Sequence, residues 1–245
     1  MVTIVMTYYQ RYQQMLKTLE SFSRYNPAEF NVIVVDDNSP NPLTLPAYPF
    51  DITILRVSNK QWYNPAPAFN IGFNYALIKK SEKIIIQNAE CYHYQDILSY
   101  LKNLTEENYI TFGCYSQGQG EAIGSVINNR TARFNGDSAW YNHPVYRPNA
   151  YHFCSAISTK NLIKINGFDE RFSQGIAYDD DYFVNQIRLF GLKIEILAEP
   201  FVIHQWHSTV EQHNAPSWEK NRQLYERLIQ ENNYRAVHIY TSNLE

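Results

Sequence analysis

The residues most able to do chemistry are three acids and two histidines in the last third of the chain. The acids stand together as Asp179, Asp180 and Asp181 before a segment with helical periodicity, and His204 and His207 follow the next apolar segment. Carboxylates accept protons from hydroxyl groups, and imidazoles bind divalent transition metals. This layout predicts acid/base chemistry beside a metal ion.

A second group of polar residues follows two apolar runs near the N-terminus. Residues 2–6 lead into Thr7, Tyr8 and Tyr9, and residues 30–35 lead into Asp37. Runs this apolar are typical of strands buried on both faces of a parallel sheet. Polar groups at the carboxyl ends of parallel strands form the crevice where open α/β sheets bind nucleotides.

The elements that must position these groups alternate between strand and helix. Apolar spacing predicts strands at residues 2–6, 30–35, 51–57 and 83–86, with helices at residues 11–25 and 69–79 between them. Such alternation indicates a parallel sheet with right-handed crossovers. Further strands are predicted at residues 109–114, 153–158 and 193–197, and further helices at residues 96–104, 160–165, 179–190 and 218–232. The irregular stretch at residues 116–148 is typical of a lid or binding loop.

In this order the segments resemble the nucleotide-sugar-dependent glycosyltransferases of the GT-A fold, in particular glycosyltransferase family 2. The resemblance covers residues 2–207 and rests on the Thr-Tyr-Tyr and Val-Val-Asp-Asp-Asn-Ser strand ends, Asn-Ile-Gly at residues 70–72, Gly-Phe-Asp-Glu-Arg-Phe at residues 167–172 and the acidic pair. It implies an α/β, mostly parallel, Rossmann-like GT-A sheet flanked by helices over residues 1–210. Residues 211–245 would form a C-terminal helical extension.

The resemblance also implies a nucleotide site at the first two strand ends. The residues that would hold the nucleobase and ribose are Asp37, Thr7, Tyr8 and Tyr9, with Arg11 near them. The alternative is that Asp37 only shapes a turn.

Asn70 and Gly72 are further candidates for nucleotide contacts. Helix N-terminal amides favour anions, and glycine permits close approach of a ligand. Phe69 stands where this motif often has an arginine, so no phosphate or base contact from an arginine is expected at this position. The alternative is that Asn70 only caps a helix.

The family's metal motif, Asp-x-Asp, falls on residues 88–90, where this chain has Asn88 and Glu90. A cation that bridges two phosphates needs hard oxygen ligands, and Glu90 alone supplies a full charge. Glu90 is therefore the expected metal ligand, and Asn88 a ribose or nucleotide contact. The interval from the acidic pair matches a metal-binding histidine of related polypeptide sugar transferases, which makes His204 a further ligand and His207 a phosphate contact or substitute ligand.

A site with a carboxylate and imidazoles favours Mn²⁺, with Mg²⁺ as the second choice. The alternative is that both histidines are structural, or bind phosphate without a metal.

The resemblance places the general base at Asp180, with Asp179 orienting the site or holding an acceptor hydroxyl. It implies an inverting glycosyltransferase that moves a sugar from a nucleotide diphosphate, UDP by family frequency, to the hydroxyl of a glycan or other acceptor. The residue ranges 140–143 and 147–154 are expected near the acceptor or diphosphate. All three acids would also be stabilised by a helix N-terminus without any function.

Two other classes of protein stay open. A catalytically silent domain that binds a sugar nucleotide or glycan would keep this fold, and Asn88 and Phe69 favour it. A nucleotidyltransferase shares the layout but usually has a Gly-rich, Lys/Arg-bearing loop after the first strand, and none follows Met6.

Composition limits the partners. A net charge of −3, a pI near 6.2 and the lack of a Lys/Arg run disfavour nucleic acid or a membrane surface as the main partner. No stretch approaches the roughly 20 apolar residues of a membrane span. Three cysteines without metal spacing are typical of a reduced intracellular protein. A cytoplasmic location is expected.

Overall fold

A computed structural model describes residues 1–125, 140–208 and 215–245. The strands are β1 (Val2–Tyr8), β2 (Phe30–Asp36), β3 (Asp51–Arg56), β4 (Lys83–Asn88), β5 (Cys91–His93), β6 (Asn108–Ser116), β7 (Trp140–Asn142), β8 (Cys154–Ser158) and β9 (Lys193–His204). The α-helices are α1 (Tyr12–Phe22), α2 (Ala66–Ile78), α3 (Thr159–Ile165), α4 (Asp179–Leu189) and α5 (Ala215–Leu228).

The nine described strands form one sheet in the order β3-β2-β1-β4-β8-β6-β9-β5, with β7 paired to β6. Strands β1 to β4 are mutually parallel, which confirms the predicted β-α-β half of the molecule. The other half is mixed, because β8 runs antiparallel to both β4 and β6 while β9 runs parallel to β6. The fold is therefore α/β, with a mixed sheet flanked by helices.

The central strands are apolar on both faces because each face carries its own core. One face of β1 and β2 packs on α1, and the core residues there include Ile4, Met6, Val32, Val34, Met15, Leu19 and Phe22. The other face packs on α2, through Val5, Ile33, Val35, Phe69, Phe73 and Ala76. Each Val, Ile, Leu, Met or Phe side chain among them contributes about 1.5–3 kcal/mol when fully buried. The three cysteines, Cys91, Cys114 and Cys154, are free and buried.

Several elements differ from the sequence predictions. The segment predicted as a helix at residues 96–104 is a 3₁₀ helix at Leu98–Asn103. Strand β9 extends beyond residue 197 to His204, and its register against β6 shifts at Gly113, where a Cβ atom would lie 2.7 Å from the Ala198 carbonyl oxygen. Strands β5 and β7 were not predicted, since three residues are too few to show a period of two.

The C-terminal segment packs against the rest of the molecule. Leu228, at the end of α5, is buried with Phe172 and Tyr182, and the later residues Ala236 and Leu244 are also buried. The predicted boundary between residues 210 and 211 lies outside the described residues, as do residues 126–139 of the predicted lid.

Glu170, from the Gly-Phe-Asp-Glu-Arg-Phe motif, holds this segment in place. Its buried carboxylate accepts hydrogen bonds from the backbone N–H groups of Ile239 and Tyr240, both at 2.6 Å, and from the Thr241 hydroxyl. Burial alone would raise the pKa of Glu170, but the donor groups, led by the Asn70 amide, hold it below its usual value. The motif glutamate is thus an anchor for the chain terminus.

Replacing Glu170 by Gln is expected to lower the free energy of unfolding at pH 7 by about 1–3 kcal/mol, because either orientation of the amide sets an NH₂ group against N–H or O–H donors. Since the folded-state pKa is depressed, this stabilisation is present above the ordinary carboxyl pKa and disappears as pH falls through the folded-state value. Urea unfolding of both proteins at pH 7 and at lower pH measures it. The exposed Glu107→Gln variant is the control and should stay within about 0.5 kcal/mol of the parent. Equal losses in the two variants would contradict the anchoring role.

Candidate active site

A cavity of about 910 Å³ opens at the carboxyl ends of β1, β2 and β4. Its size lies within the range of small-molecule sites. Most of the predicted nucleotide and metal residues line it, namely Thr7, Tyr8, Tyr9, Arg11, Asp37, Asn88, Glu90 and His207. The parallel register explains this convergence, because it aligns the ends of the three strands at one edge of the sheet.

The two adjacent aspartates at the carboxyl end of β2, Asp36 and Asp37, have different roles. Asp36 is fully buried and accepts hydrogen bonds from the backbone N–H groups of Ser39 and Leu43, each at 2.9 Å, so it anchors the following loop. Asp37 instead borders the cavity, where its two oxygens contact Lys60 Nζ at 2.5 Å and Trp62 Nε1 at 2.9 Å.

Burial raises the pKa of Asp37, although the contacts with Lys60 and Trp62 favour its charged form. Lys60 and Trp62 were missed by the sequence analysis. They lie in an irregular segment after β3 that has no periodicity or motif to single them out.

Glu90 lies at the centre of a charged cluster. Its Oε1 is 3.1 Å from His204 Nε2 and 3.7 Å from His207 Nε2, and the Arg11 guanidinium donates to the same oxygen. The pairing of β5 with β9, in which Cys91 lies opposite His204, brings these distant parts of the chain together. Arg11, which was expected near the residues that hold the nucleobase and ribose, therefore contacts the predicted metal ligand Glu90.

The electrostatics of this cluster keep Glu90 charged. Burial alone would raise its pKa, but His204 and Arg11 hold that pKa well below its usual range. Burial and the nearby Arg11 lower the pKa of His207, which favours the neutral imidazole that binds metals. One ligand atom from each of Glu90, His204 and His207 lies within 4.8 Å of the others. This donor set of one carboxylate and two imidazoles fits a divalent transition metal.

The three acids lie at the start of α4, and the residues that line the nucleotide cavity do not include them. Asp180 Oδ1 is 2.5 Å from His152 Nδ1, and Asp181 accepts a hydrogen bond of 2.7 Å from the Tyr151 hydroxyl. Burial and the neighbouring Asp180 raise the pKa of Asp179 to about 7.

The backbone before this acidic turn adopts an unusual conformation. Ala177 and Tyr178 both have positive φ, at 61° and 66°, a region that non-glycine residues rarely occupy. Such conformations cost of order 1–3 kcal/mol each and cluster at functional sites.

Asn70 and Gly72 have packing roles. Asn70 is fully buried, and its side chain bonds to the backbone N–H and carbonyl of Phe168 and to Glu170. A Cβ atom at Gly72 would lie 2.5 Å from Val5 Cγ1, so the glycine lets α2 approach β1. Neither residue lines the cavity, and this geometry gives no support to the nucleotide contacts expected of them.

The mixed sheet flanked by helices is the GT-A fold of glycosyltransferases. The sequence model described as Glycosyl transferase family 2 matches residues 3–162, well over half of the chain. The chain therefore belongs to that family. A comparison with curated protein sequences finds no match.

Solved structures show the same fold. TarS residues 1–349 from S. aureus, in complex with UDP-GlcNAc, superimposes with a TM-score of 0.67 at 13% identity, covering 97% of this chain and 68% of TarS 1–349. The complex of the same TarS segment with UDP gives 0.65 at 13% identity, covering 97% and 67%. The mannosyltransferase PcManGT from Pyrobaculum calidifontis, in complex with GDP-Man and Mn²⁺, gives 0.53 at 14% identity, covering 92% and 61%.

None of the helices in the described parts of the chain has both the length and the apolar character needed to cross a bilayer.

Proposed function

We propose that this protein is an inverting glycosyltransferase that transfers a sugar from a nucleotide diphosphate, UDP in the first instance, to an acceptor hydroxyl, with Asp180 as general base. The observation that carries the proposal is the cavity in which Asp37 and the Glu90 cluster lie at one sheet edge. The complexes of TarS with UDP and UDP-GlcNAc, and of PcManGT with GDP-Man, support a sugar-nucleotide donor.

The nucleoside end of the donor would lie against Asp37. Its carboxylate is held by Lys60 and Trp62. It would accept a hydrogen bond from an N–H group of the base, while Thr7 and Tyr9, which line the same cavity, would contact the base and ribose. Because both carboxylate oxygens already have one protein donor, Asp37 is fixed in position before the nucleotide arrives, which reduces the entropic cost of binding.

The diphosphate would lie toward Glu90, where Arg11 provides donors and Asn88 contacts the ribose. Glu90, His204 and His207 would hold a divalent ion, Mn²⁺ by ligand preference or Mg²⁺, which when bound neutralises charge on the diphosphate. The complex of PcManGT with Mn²⁺ supports a divalent cofactor.

Transfer would begin when Asp180 takes the proton of the acceptor hydroxyl. The acceptor oxygen then attacks the anomeric carbon from the face opposite the diphosphate, so a new C–O bond forms as the bond to the diphosphate breaks. The configuration at the anomeric carbon is inverted. Asp179, whose pKa is raised by burial and by the neighbouring Asp180, would orient the acceptor by hydrogen bonding.

The first test is the binding of UDP. UDP is expected to raise the melting temperature of the parent protein, since a ligand that binds only the native state stabilises it. Asp37→Ala removes a charged hydrogen-bond acceptor, a loss of about 1.5–3 kcal/mol, so Kd for UDP should rise roughly 10- to 100-fold. Calorimetric titration with UDP measures this change directly.

The control for this test is Asp51→Ala, which removes an exposed carboxylate at the start of β3. It should bind UDP as the parent does. Equal affinity of the Asp37 variant and the parent would place the nucleotide elsewhere.

A further inference from the structure

His152 is a buried titratable residue with no part in the chemistry proposed above. Only 6% of the residue is exposed, and its ring meets Phe69 and Phe168 edge-on, with ring centroids 5.0 and 4.8 Å away. Phe69 stands where the resembling motif often has an arginine. In this chain that position provides an apolar wall for the imidazole.

The polar side of the ring faces the acidic turn. His152 Nδ1 lies 2.5 Å from Asp180 Oδ1, and both atoms are inaccessible to solvent. The contact is an ion pair, and in the described part of the chain neither atom has a hydrogen-bond partner. The Asp180 side chain is nevertheless 30% exposed, so its exposed surface belongs to atoms other than Oδ1.

We propose that His152 is a positioning residue for Asp180, which fixes the buried carboxylate oxygen Oδ1 and leaves Oδ2 to receive the proton of the acceptor hydroxyl. The inference rests on the proposed function of Asp180. A carboxylate held at one oxygen cannot rotate away from the acceptor, and a positioned base is worth more than a mobile one.

The charges around His152 favour its protonated form. Burial alone would lower the pKa of His152, but the carboxylate of Asp180 outweighs it and raises that pKa, with smaller contributions from Asp179 and Glu90. On α4 the remaining acid, Asp181, is bonded to the Tyr151 hydroxyl. Phe69 and Phe168, on the other sides of the ring, carry no charge. The imidazolium form is thus stabilised beside the base.

Two matched variants test the proposal. His152→Asn keeps an N–H donor close to the position of Nδ1 but cannot carry a charge, whereas His152→Leu keeps much of the volume and has no donor. With the nucleotide sugar that proves active, the Leu variant should lose roughly 10- to 100-fold in kcat at unchanged donor KM, the effect of losing a close polar partner of a charged group. The Asn variant should recover most of that loss.

The pH profile of kcat provides a readout that a purely structural role would not move. The raised pKa of His152 should appear as a limb of the parent profile, where kcat falls as the imidazolium loses its proton, and both variants should lack this limb. Equal kcat in the Leu and Asn variants, with the pH profile of the parent, would overturn the proposal.

A measurement without catalysis separates this inference from the proposed function. In the NMR titration of the histidines, Asp180→Asn should lower the pKa of His152 by roughly one pH unit or more, while Asp51→Asn should leave it unchanged. If the parent transfers no sugar from any donor, the proposed function fails, and the titration still decides whether the pair exists. An unchanged pKa of His152 in the Asp180 variant would overturn the pairing.

Discussion

Asp180→Asn is expected to reduce sugar transfer by about 10²- to 10⁴-fold while UDP binding persists, because the amide is nearly isosteric but accepts no proton at neutral pH. The substitution lies at the start of α4, outside the residues that line the nucleotide cavity, which is why donor affinity should be kept. Single-turnover transfer and calorimetric titration with UDP measure the two quantities separately.

The matched control is a substitution at the neighbouring Asp181. Asp181→Asn should be far milder, since Asp181 accepts a hydrogen bond from Tyr151 and the Asn side chain keeps an acceptor oxygen. A near-normal rate for Asp180→Asn with intact UDP binding would refute the assignment. Asp179 would then be the next candidate, because it lies beside Asp180 in the first turn of α4.

The second large effect is expected at Glu90. Glu90→Gln removes the one carboxylate that His204, His207 and Arg11 share. Loss of one partner from a buried charged cluster costs about 3–5 kcal/mol, and a comparable loss of metal-binding free energy would weaken Mn²⁺ affinity by more than 10²-fold. Turnover should fall accordingly and become dependent on high Mn²⁺ concentration.

Metal binding is measured by the paramagnetic resonance of Mn²⁺ as well as by turnover in chelator with Mn²⁺ restored. The control variant Glu107→Gln, which removes an exposed carboxylate, should bind Mn²⁺ as the parent does. His204→Ala should raise the Mn²⁺ requirement. Full activity of the parent in chelator would defeat the metal assignment and leave Arg11 and the two histidines as a metal-free diphosphate site.

A protein that binds UDP but neither hydrolyses nor transfers any nucleotide sugar would be the silent domain that Asn88 and Phe69 favour. The contacts of these two residues do not distinguish an active enzyme from a silent binding domain. Asn88 lines the cavity, and Phe69 is buried against Phe73 and Phe168. A donor-hydrolysis assay with a panel of nucleotide sugars and Mn²⁺ therefore separates the enzyme from the binding domain.

The sequence by itself determined the parallel half of the sheet and the residues at its edge. Strands β1, β2 and β4 are local apolar runs, and the polar residues that end them, Asp37 and Glu90 among them, must meet wherever parallel strands align. The same local patterns could not show that β8 runs antiparallel to β4, because a run that is apolar on both faces carries no information about its direction.

Only the tertiary structure decided which partner each charged group meets. Asp37 is held by Lys60 and Trp62, residues without a motif, and Asn70 turns into the core to bind the segment around Phe168. Glu90 and His204 meet because β5 pairs with β9 in one particular register. His152 reaches Asp180 across the fold. These contacts join residues far apart in the chain, and their geometry depends on strand register and packing, which no local spacing of residue types encodes.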